Sequence, residues 1–533
     1  GTTTSLQGDI TNNAAVVFDQ ATNGTYSGTI TGTGTLSKTG NGSVTLSGNN
    51  EYQGGTSITG GTVVAASNTA LGSGAVEVSG ASLLASAGTT VGNAITVEAV
   101  TGPSQVVAYW NFNSLSIATA SAPGSGGVPL TIAANQGSGT LSLENWTGLV
   151  DDFGGTTLNR LSGDPAEESL SLVSTSGSGN GSRIQISGLD LSNLINVQVS
   201  LATQRTTTGF NNNQWAYSAD GASFTNFGSS INPSTSFAIV SAGTSGLDGE
   251  SSGFLRYTLN GASGTSQNNR IDNLQITASS LILPTLGGNH TSGTAAFSGD
   301  ITLDSSVQLT SASGGTVVFS GIIADGANGA QGITKIGAGT VELTGDNTYT
   351  GATLVNAGTL MVNNLSGSAT GSGDVSIASG ASLAGAGTIS GSVTLDGIIA
   401  PGNSIGTLST GSITWNGVIS ASAATNWQFE LGEFDTSDLL SITGDFIKNT
   451  TNGGVFQFDF LNSTAEGTFE LVTWTETTDF LASDFSYTGY AAANPGEFSI
   501  VGNSLYFTTV PEPSTVVASM LAGLGLLRRR RSA

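Results

Sequence analysis

The sequence predicts an all-β protein: a right-handed parallel β-helix (solenoid) with an inserted jelly-roll-like β-sandwich, a C-terminal β cap and a short C-terminal transmembrane sorting helix. Three observations predict it. Apolar and polar residues alternate over short runs broken by glycine, which supplies 78 of the 533 residues, and period two with frequent glycine reads as short strands. One segment occurs twice. Between its two copies lies a stretch richer in aromatic residues, where the glycine spacing is lost.

Residues 1–99 are the expected first part of the solenoid. Here Gly40-x-Gly42-x-Val44-x-Leu46-x-Gly48-x-Asn50-x-Tyr52-x-Gly54-x-Thr56 carries the alternation, with Lys38 just before it. The same letters return without a gap in Gly337-x-Gly339-x-Val341-x-Leu343-x-Gly345-x-Asn347-x-Tyr349-x-Gly351-x-Thr353, and Lys335 matches Lys38 at the same offset of 297 residues. A four-residue strand cannot bury its apolar face alone, so repeated short strands without long connections suit rungs stacked on a shared column of Val, Ile and Leu. A row of antiparallel hairpins in a sandwich is the alternative. The Asn-x-Tyr pairs read as turns.

Residues 100–283 hold Tyr109, Trp110, Trp146, Trp215, Tyr217 and Tyr257, and their strands are longer, as in Arg183-Ile184-Gln185-Ile186 and Val197-Gln198-Val199-Ser200-Leu201. This predicts a β-sandwich with its own core, inserted between two rungs. Residues 284–415 carry the second copy and complete the solenoid. Residues 416–509, with Trp427-Gln428-Phe429, Phe456-Gln457-Phe458-Asp459-Phe460 and Trp474, read as a β cap over its end.

Residues 510–533 are of another kind. Pro511 and Pro513 fix φ and lack N–H donors, so this entrance is extended and open to a processing enzyme. The apolar run Thr515 to Leu527 would rise about 20 Å as a helix, against a hydrocarbon core of about 30 Å. Arg528 to Arg531 would stay on the cytoplasmic side, placing the preceding chain outside the inner membrane.

This tail resembles the PEP-CTERM sorting signal of Gram-negative bacteria, in which a Pro-Glu-Pro, a transmembrane stretch and a basic end follow in that order. The resemblance implies export, handling by an exosortase-type membrane processing enzyme, transient inner-membrane insertion, and delivery to the outer envelope, cell surface or extracellular matrix. Its residues here are Pro511, Glu512, Pro513, Arg528, Arg529, Arg530 and Arg531. The repeated segment resembles the autotransporter-associated β-strand repeat, down to a closing Gly358-Thr359-Leu360 and the weaker Gly61-Thr62-Val63. Ala400-Pro401-Gly402-Asn403-Ser404 is similar to the last rungs of such passengers. In that family the repeat is scaffold without catalytic residues.

Composition narrows the chemistry. Charged residues make up 9% of the chain, and 12 Lys+Arg against 36 Asp+Glu give a formal net charge of −24, which repels nucleic acid and anionic headgroups. With no cysteine, disulfides, thiolate catalysis and Cys-ligated zinc are excluded. The chain begins Gly1-Thr2-Thr3, without Met or an apolar leader, as a mature or trimmed product would.

No constellation marks an enzyme. His290 stands alone in a Gly-Gly-Asn-His-Thr turn and is expected to be a solvated loop residue. Gly402-Asn403-Ser404-Ile405-Gly406 has the letters of a nucleophile elbow, but strand follows it where the elbow needs helix. Glu51, Glu77 and Glu342 have no acidic counterpart in the other copy, so a paired-carboxylate polysaccharide lyase or hydrolase is the least favoured reading. No cofactor is expected beyond a structural calcium, for which Asp151, Asp152 and Asp272 are the oxygen-rich candidates against ordinary turn roles. Trp215 and Tyr217 are the candidates for stacking on a sugar ring, set against a place in the core.

Together these readings predict an exported cell-surface or matrix protein of structural or adhesion type. Binding of exopolysaccharide or another surface glycan through the inserted sandwich is the alternative function, and nucleic acid is not an expected partner.

Overall fold

Alternation sets the rungs. In Ser43–Leu46, Val44 and Leu46 turn inward and are buried, while Ser43 and Thr45 remain half-exposed, and the pattern recurs in Thr340–Leu343. A computed structural model describes residues 1–509 except 116, 118, 125–130, 147, 175–178, 264–266, 418–426, 434–435, 450–454, 464 and 491–494. The expected sorting helix, with Pro511, Glu512, Pro513 and Arg528 to Arg531, lies outside the described residues, among which no helix is long and apolar enough to cross a membrane. The chain divides into two compact units, residues 1–100 with those from 283 onward, and Thr101–Ile282.

The first unit winds past three parallel sheets. One has twelve strands, from Gly24–Tyr26 to Phe446–Asn449; a second has seven, from Ala15–Phe18 to Ile323–Asp325; a third has seven, from Thr90–Val91 to Ile398–Pro401. One circuit visits all three, through Val307–Ser311, Thr316–Phe319 and Ile323–Asp325, before returning at Ile333–Ile336. Strand pairs between successive circuits are parallel, so the antiparallel-hairpin alternative is excluded. Inward residues stack in register: Val44, Val63, Leu83, Leu286 and Leu309 form one column, each no more than 1% exposed. Burying each such side chain stabilises by about 1.5–3 kcal/mol.

The column passes from Leu83 straight to Leu286, and Ile95 likewise pairs with Ile301. The ladder therefore closes over the insertion as though residues 101–282 were absent.

The recurring polar residues of the repeat are interior, which alternation alone does not reveal. Asn50 and Asn347 do not sit in exposed turns: each accepts a backbone N–H from one circuit and donates to a carbonyl of another, Ile30 and Ala70 for Asn50, Ile323 and Ala369 for Asn347. Tyr52 and Tyr349 are wholly buried, their hydroxyls 2.6 and 2.7 Å from Thr56 Oγ1 and Thr353 Oγ1. Gly61 and Gly358 turn the closing corner at φ +65° and +66°, where a Cβ would meet the carbonyl oxygens of Gly42 and Gly339 at 2.4 and 2.5 Å. Glycine is the residue that allows both the left-handed φ and the close approach.

Lys38 and Lys335 occupy inward positions in the apolar columns, Lys38 between Phe18 and Ile58 and Lys335 between Leu309 and Val355. Each ammonium turns along the axis to satisfy carbonyls at a corner: Gly40 and Gly60 for Lys38; Ile336, Gly337 and Ala357, at 3.0, 2.7 and 2.8 Å, for Lys335. Burial pulls Lys335 from 10.5 down to about 8. Between those values the unfolded chain binds the extra proton, so stability rises with pH across that window and is flat with respect to this group below it. Relative to Lys335→Met, the wild-type protein is expected to gain up to about 3 kcal/mol between pH 7.5 and 10.5, at ~1.4 kcal/mol per unit. Urea melts at pH 7.5, 9 and 10.5 measure this; a constant difference would mean that the carbonyl acceptors fully offset burial.

Beyond residue 400 the circuits continue. Thr407–Thr410, Leu439–Ile442 and Thr468–Trp474 stack in parallel, as do Trp427–Phe429, Phe456–Ser463 and Phe485–Tyr490. The antiparallel hairpin Gly496–Val501 with Ser504–Thr509 then ends the ladder. Among the described residues this closing region shares the solenoid's core: one apolar cluster runs from Val16 to Phe507.

The second unit is a pair of antiparallel sheets sharing a separate core that includes Trp110, Ile186, Trp215, Leu255 and Ile276. Its first and last long strands, Val100–Trp110 and Gln267–Ile282, are neighbours in one sheet, which brings the ends of the insertion side by side.

Candidate functional site

Each unit carries a concave surface lined by its strands. On the solenoid, residues facing outward from the second sheet stack across circuits in register: Ser37 beside Ser57, Ser57 beside Glu77, Glu77 beside Thr96. Because these side chains are short, they line an open groove of about 560 Å³, with Asp304 also on its wall. The groove offers hydroxyls and two carboxylates. Glu77 accepts from Ser79 Oγ at 3.3 Å, and Asp304 Oδ1 accepts the Ala327 N–H at 3.0 Å, a turn-capping role.

In the sandwich, a polar cavity of about 260 Å³ is lined by Gln204, Arg205, Thr206, Asn268 and Arg270, among others. Gln204 and Arg270 are directly opposed across an antiparallel pair and so share a face. The Arg270 guanidinium lies over the Phe153 ring, 4.6 Å from its centre, and its Nε is buried without an acceptor. Phe153 itself is 38% exposed.

The calcium candidates serve the backbone. Asp151 Oδ1 accepts the Asp152 N–H at 3.1 Å, and Asp152 Oδ2 accepts the Ile117 N–H at 2.7 Å. Asp272 Oδ2 accepts from Thr156 N–H and its Oδ1 from Asn273 N–H, at 2.7 and 2.9 Å; burial pushes its carboxyl up to about 6. Among the described residues no three or more His, Cys, Asp or Glu converge as a metal centre would require. Asp272 belongs instead to a network that folds the 155–161 loop onto its sheet: Asn273 Nδ2 donates to the Thr156 and Leu158 carbonyls, and its Oδ1 accepts from the Tyr109 hydroxyl at 2.6 Å.

Trp215 lies in the sandwich core, 1% exposed and stacked at 4.6 Å on Tyr257, where no sugar ring can reach it. Tyr217 is half-buried against Phe227, ring centres 6.1 Å apart. Alternation places Trp215 and Tyr217 on one face of their strand, and that face is the packed one. Arg270 and Phe153, which do meet at the surface, stand on strands more than a hundred residues apart, so nothing local pairs them.

His290 is not the solvated loop residue expected. It is half-buried, with Nε2 3.1 Å from the Thr316 carbonyl and Nδ1 buried without a partner. Ser404 adopts φ +80°, yet the strand Thr407–Thr410 follows it, and Gly406 N–H is held by Asp438 Oδ1 at 3.0 Å, so the segment is a rung corner and not a nucleophile elbow.

Comparison with known proteins agrees with the solenoid reading. A family model described as the passenger-associated transport repeat matches residues 36–65 and 333–362. The adhesin BmaC autotransporter of Brucella suis biovar 1 (strain 1330) is 32% identical over 152 residues, 27% of this chain; the match spans 4% of that protein's length. Among solved structures, a xylan-binding domain of Paenibacillus barcinonensis Xyn10C aligns at 11% identity and TM-score 0.22, covering 34% of this chain and 98% of that one. The cleaved adhesin domain K1 of Lys-gingipain from Porphyromonas gingivalis aligns at 12% and 0.20, covering 33% and 98%. The N-terminal cellulose-binding domain of Cellulomonas fimi β-1,4-glucanase C aligns at 12% and 0.19, covering 26% and 86%.

Proposed function

We propose that this chain is an exported, non-enzymatic surface protein of adhesion type in a Gram-negative bacterium, in which the solenoid is a scaffold and the inserted sandwich is the displayed contact module. The carrying observation is the ladder that closes from Leu83 to Leu286 over a self-contained unit of residues 101–282. Such a unit is attached without interrupting the scaffold's core, so its surface is free to vary. The transport-repeat match at residues 36–65 and 333–362 supports the passenger-like role of the scaffold. In this reading Pro511 to Arg531 form the sorting signal, handled by an exosortase-type enzyme after transient insertion in the inner membrane.

A second reading assigns surface-glycan recognition to the insert. The polar cavity at Arg205 and Arg270 favours it.

One experiment tests the proposal. Cells carry either the full gene or a version in which residues 101–282 are replaced by a short flexible linker. Both proteins should reach the surface, detected by antibody on intact cells, with C-termini near Pro511 by mass spectrometry. Adherence should drop at least about tenfold only when the insert is missing. Equal adherence would reject the insert as the contact module, and absence of both proteins from the surface would reject export.

A further inference from the structure

Every arginine outside residues 528–531 lies in the inserted unit: Arg160, Arg183, Arg205, Arg256 and Arg270. Two of the three lysines, Lys38 and Lys335, are sealed inside the solenoid, so a chain of net charge −24 concentrates its accessible cations on the sandwich. Arg256 is already committed: it donates to Gln185 Oε1 at 2.6 and 3.1 Å, ion-pairs with Glu144 at 3.7 Å and covers the Phe224 ring. Among the described residues Arg205 donates to uncharged acceptors, Asn232 Oδ1 at 3.0 Å and the carbonyls of Thr206 and Thr207. Among the described residues neither Arg205 nor Arg270 has a carboxylate within 4.0 Å. Both line the same cavity.

We infer that this cavity is a subsite for the carboxylate of an acidic sugar, a uronate unit of a polysaccharide; the inference rests on glycan recognition by the insert. A guanidinium presents parallel N–H donors that match a carboxylate, and such charge-assisted bonds are roughly twice as strong as neutral ones. Phe153 holds the Arg270 head flat by a cation–π contact and remains partly open as an apolar surface for a sugar ring. Gln204 and Asn268 add amide groups at the wall, the side-chain chemistry that meets sugar hydroxyls. The volume of about 260 Å³ lies below the ~300 Å³ at which drug-sized pockets begin, so it takes one saccharide unit of a longer chain.

The test is calorimetric titration of the full chain with trigalacturonate, its methyl ester, a neutral xylo-oligosaccharide and sodium sulfate. Trigalacturonate should bind, at least about tenfold more weakly after Arg270→Gln and in 0.5 M NaCl. Arg205→Gln should also weaken it, and Arg183→Gln, with the same change of charge, should stay within about twofold. Thermal melts verify that each variant is folded. Equal binding of the methyl ester, an unchanged Arg270→Gln, or sulfate binding as tightly as the sugar would each overturn the uronate subsite. Binding of the neutral sugar alone would overturn it while leaving glycan recognition standing; binding of no saccharide would remove both.

Discussion

Asn347→Ala is expected to destabilise the solenoid by about 2–5 kcal/mol, the cost of leaving one buried N–H and one buried carbonyl without partners at about 1–3 kcal/mol each. Asn347 is 3% exposed and joins three successive circuits, accepting from Ile323 N–H at 2.8 Å and donating to the Ala369 carbonyl at 2.5 Å. Asn347→Asp keeps the acceptor, loses the donor and buries a charge, so its loss should be at least as large. Asn50 makes the same two contacts at 2.8 and 2.6 Å, and Asn50→Ala should behave alike. Because each circuit touches only its neighbours, the damage should be local. Hydrogen exchange should speed up first around Ile323 and Ala369 while the strands near Val44 stay protected. A change in urea-melt stability below 0.5 kcal/mol, or uniform loss of protection, would sink the bridging role.

Phe446→Ala should cost about 3–5 kcal/mol, in the range for truncating a buried aromatic. Phe446 belongs to the last strand of the twelve-stranded sheet and is fully buried among Phe480, Trp474, Trp427 and Phe485, ring centres 4.4, 5.8, 6.0 and 6.4 Å away. These rings fill the apolar column where the twelve-stranded sheet ends, so removing the central one opens a cavity that its stiff neighbours cannot fill. The expected signature is loss of near-ultraviolet dichroism and binding of a hydrophobic dye, with far-ultraviolet dichroism nearly unchanged. Phe446→Leu should recover more than half of the stability. An alanine variant that melts within 1 kcal/mol of the wild type would show that the aromatic cluster does not hold this part of the column together.

By itself the sequence determined the strand period, the inward set of Val, Ile and Leu, and the duplicated unit. These are local properties: a period of two assigns side chains to faces whatever the neighbours are. The polar members of the repeat were legible as letters but not as interior groups: Asn50, Asn347, Lys38 and Lys335 find carbonyls or amides of other circuits, and Tyr52 and Tyr349 are buried against the hydroxyls of Thr56 and Thr353. The candidate site was less legible still: Arg270 meets Phe153 and Gln204 through pairings that no spacing announces, while Trp215, chosen for its chemistry, points into the core. Tertiary structure alone decided the placement of the two copies. The first, through Thr35–Lys38 and Ser43–Leu46, turns from the second sheet to the twelve-stranded one; the second, through Ile333–Ile336 and Thr340–Leu343, turns from the twelve-stranded sheet to the third. The same letters build the same lysine-capped corner on different edges of the solenoid, because the corner needs only local backbone geometry and a circuit stacked against it. Which edge it occupies depends on how many residues the intervening circuits spend on each side, and that sum is settled only when the parallel ladders pair.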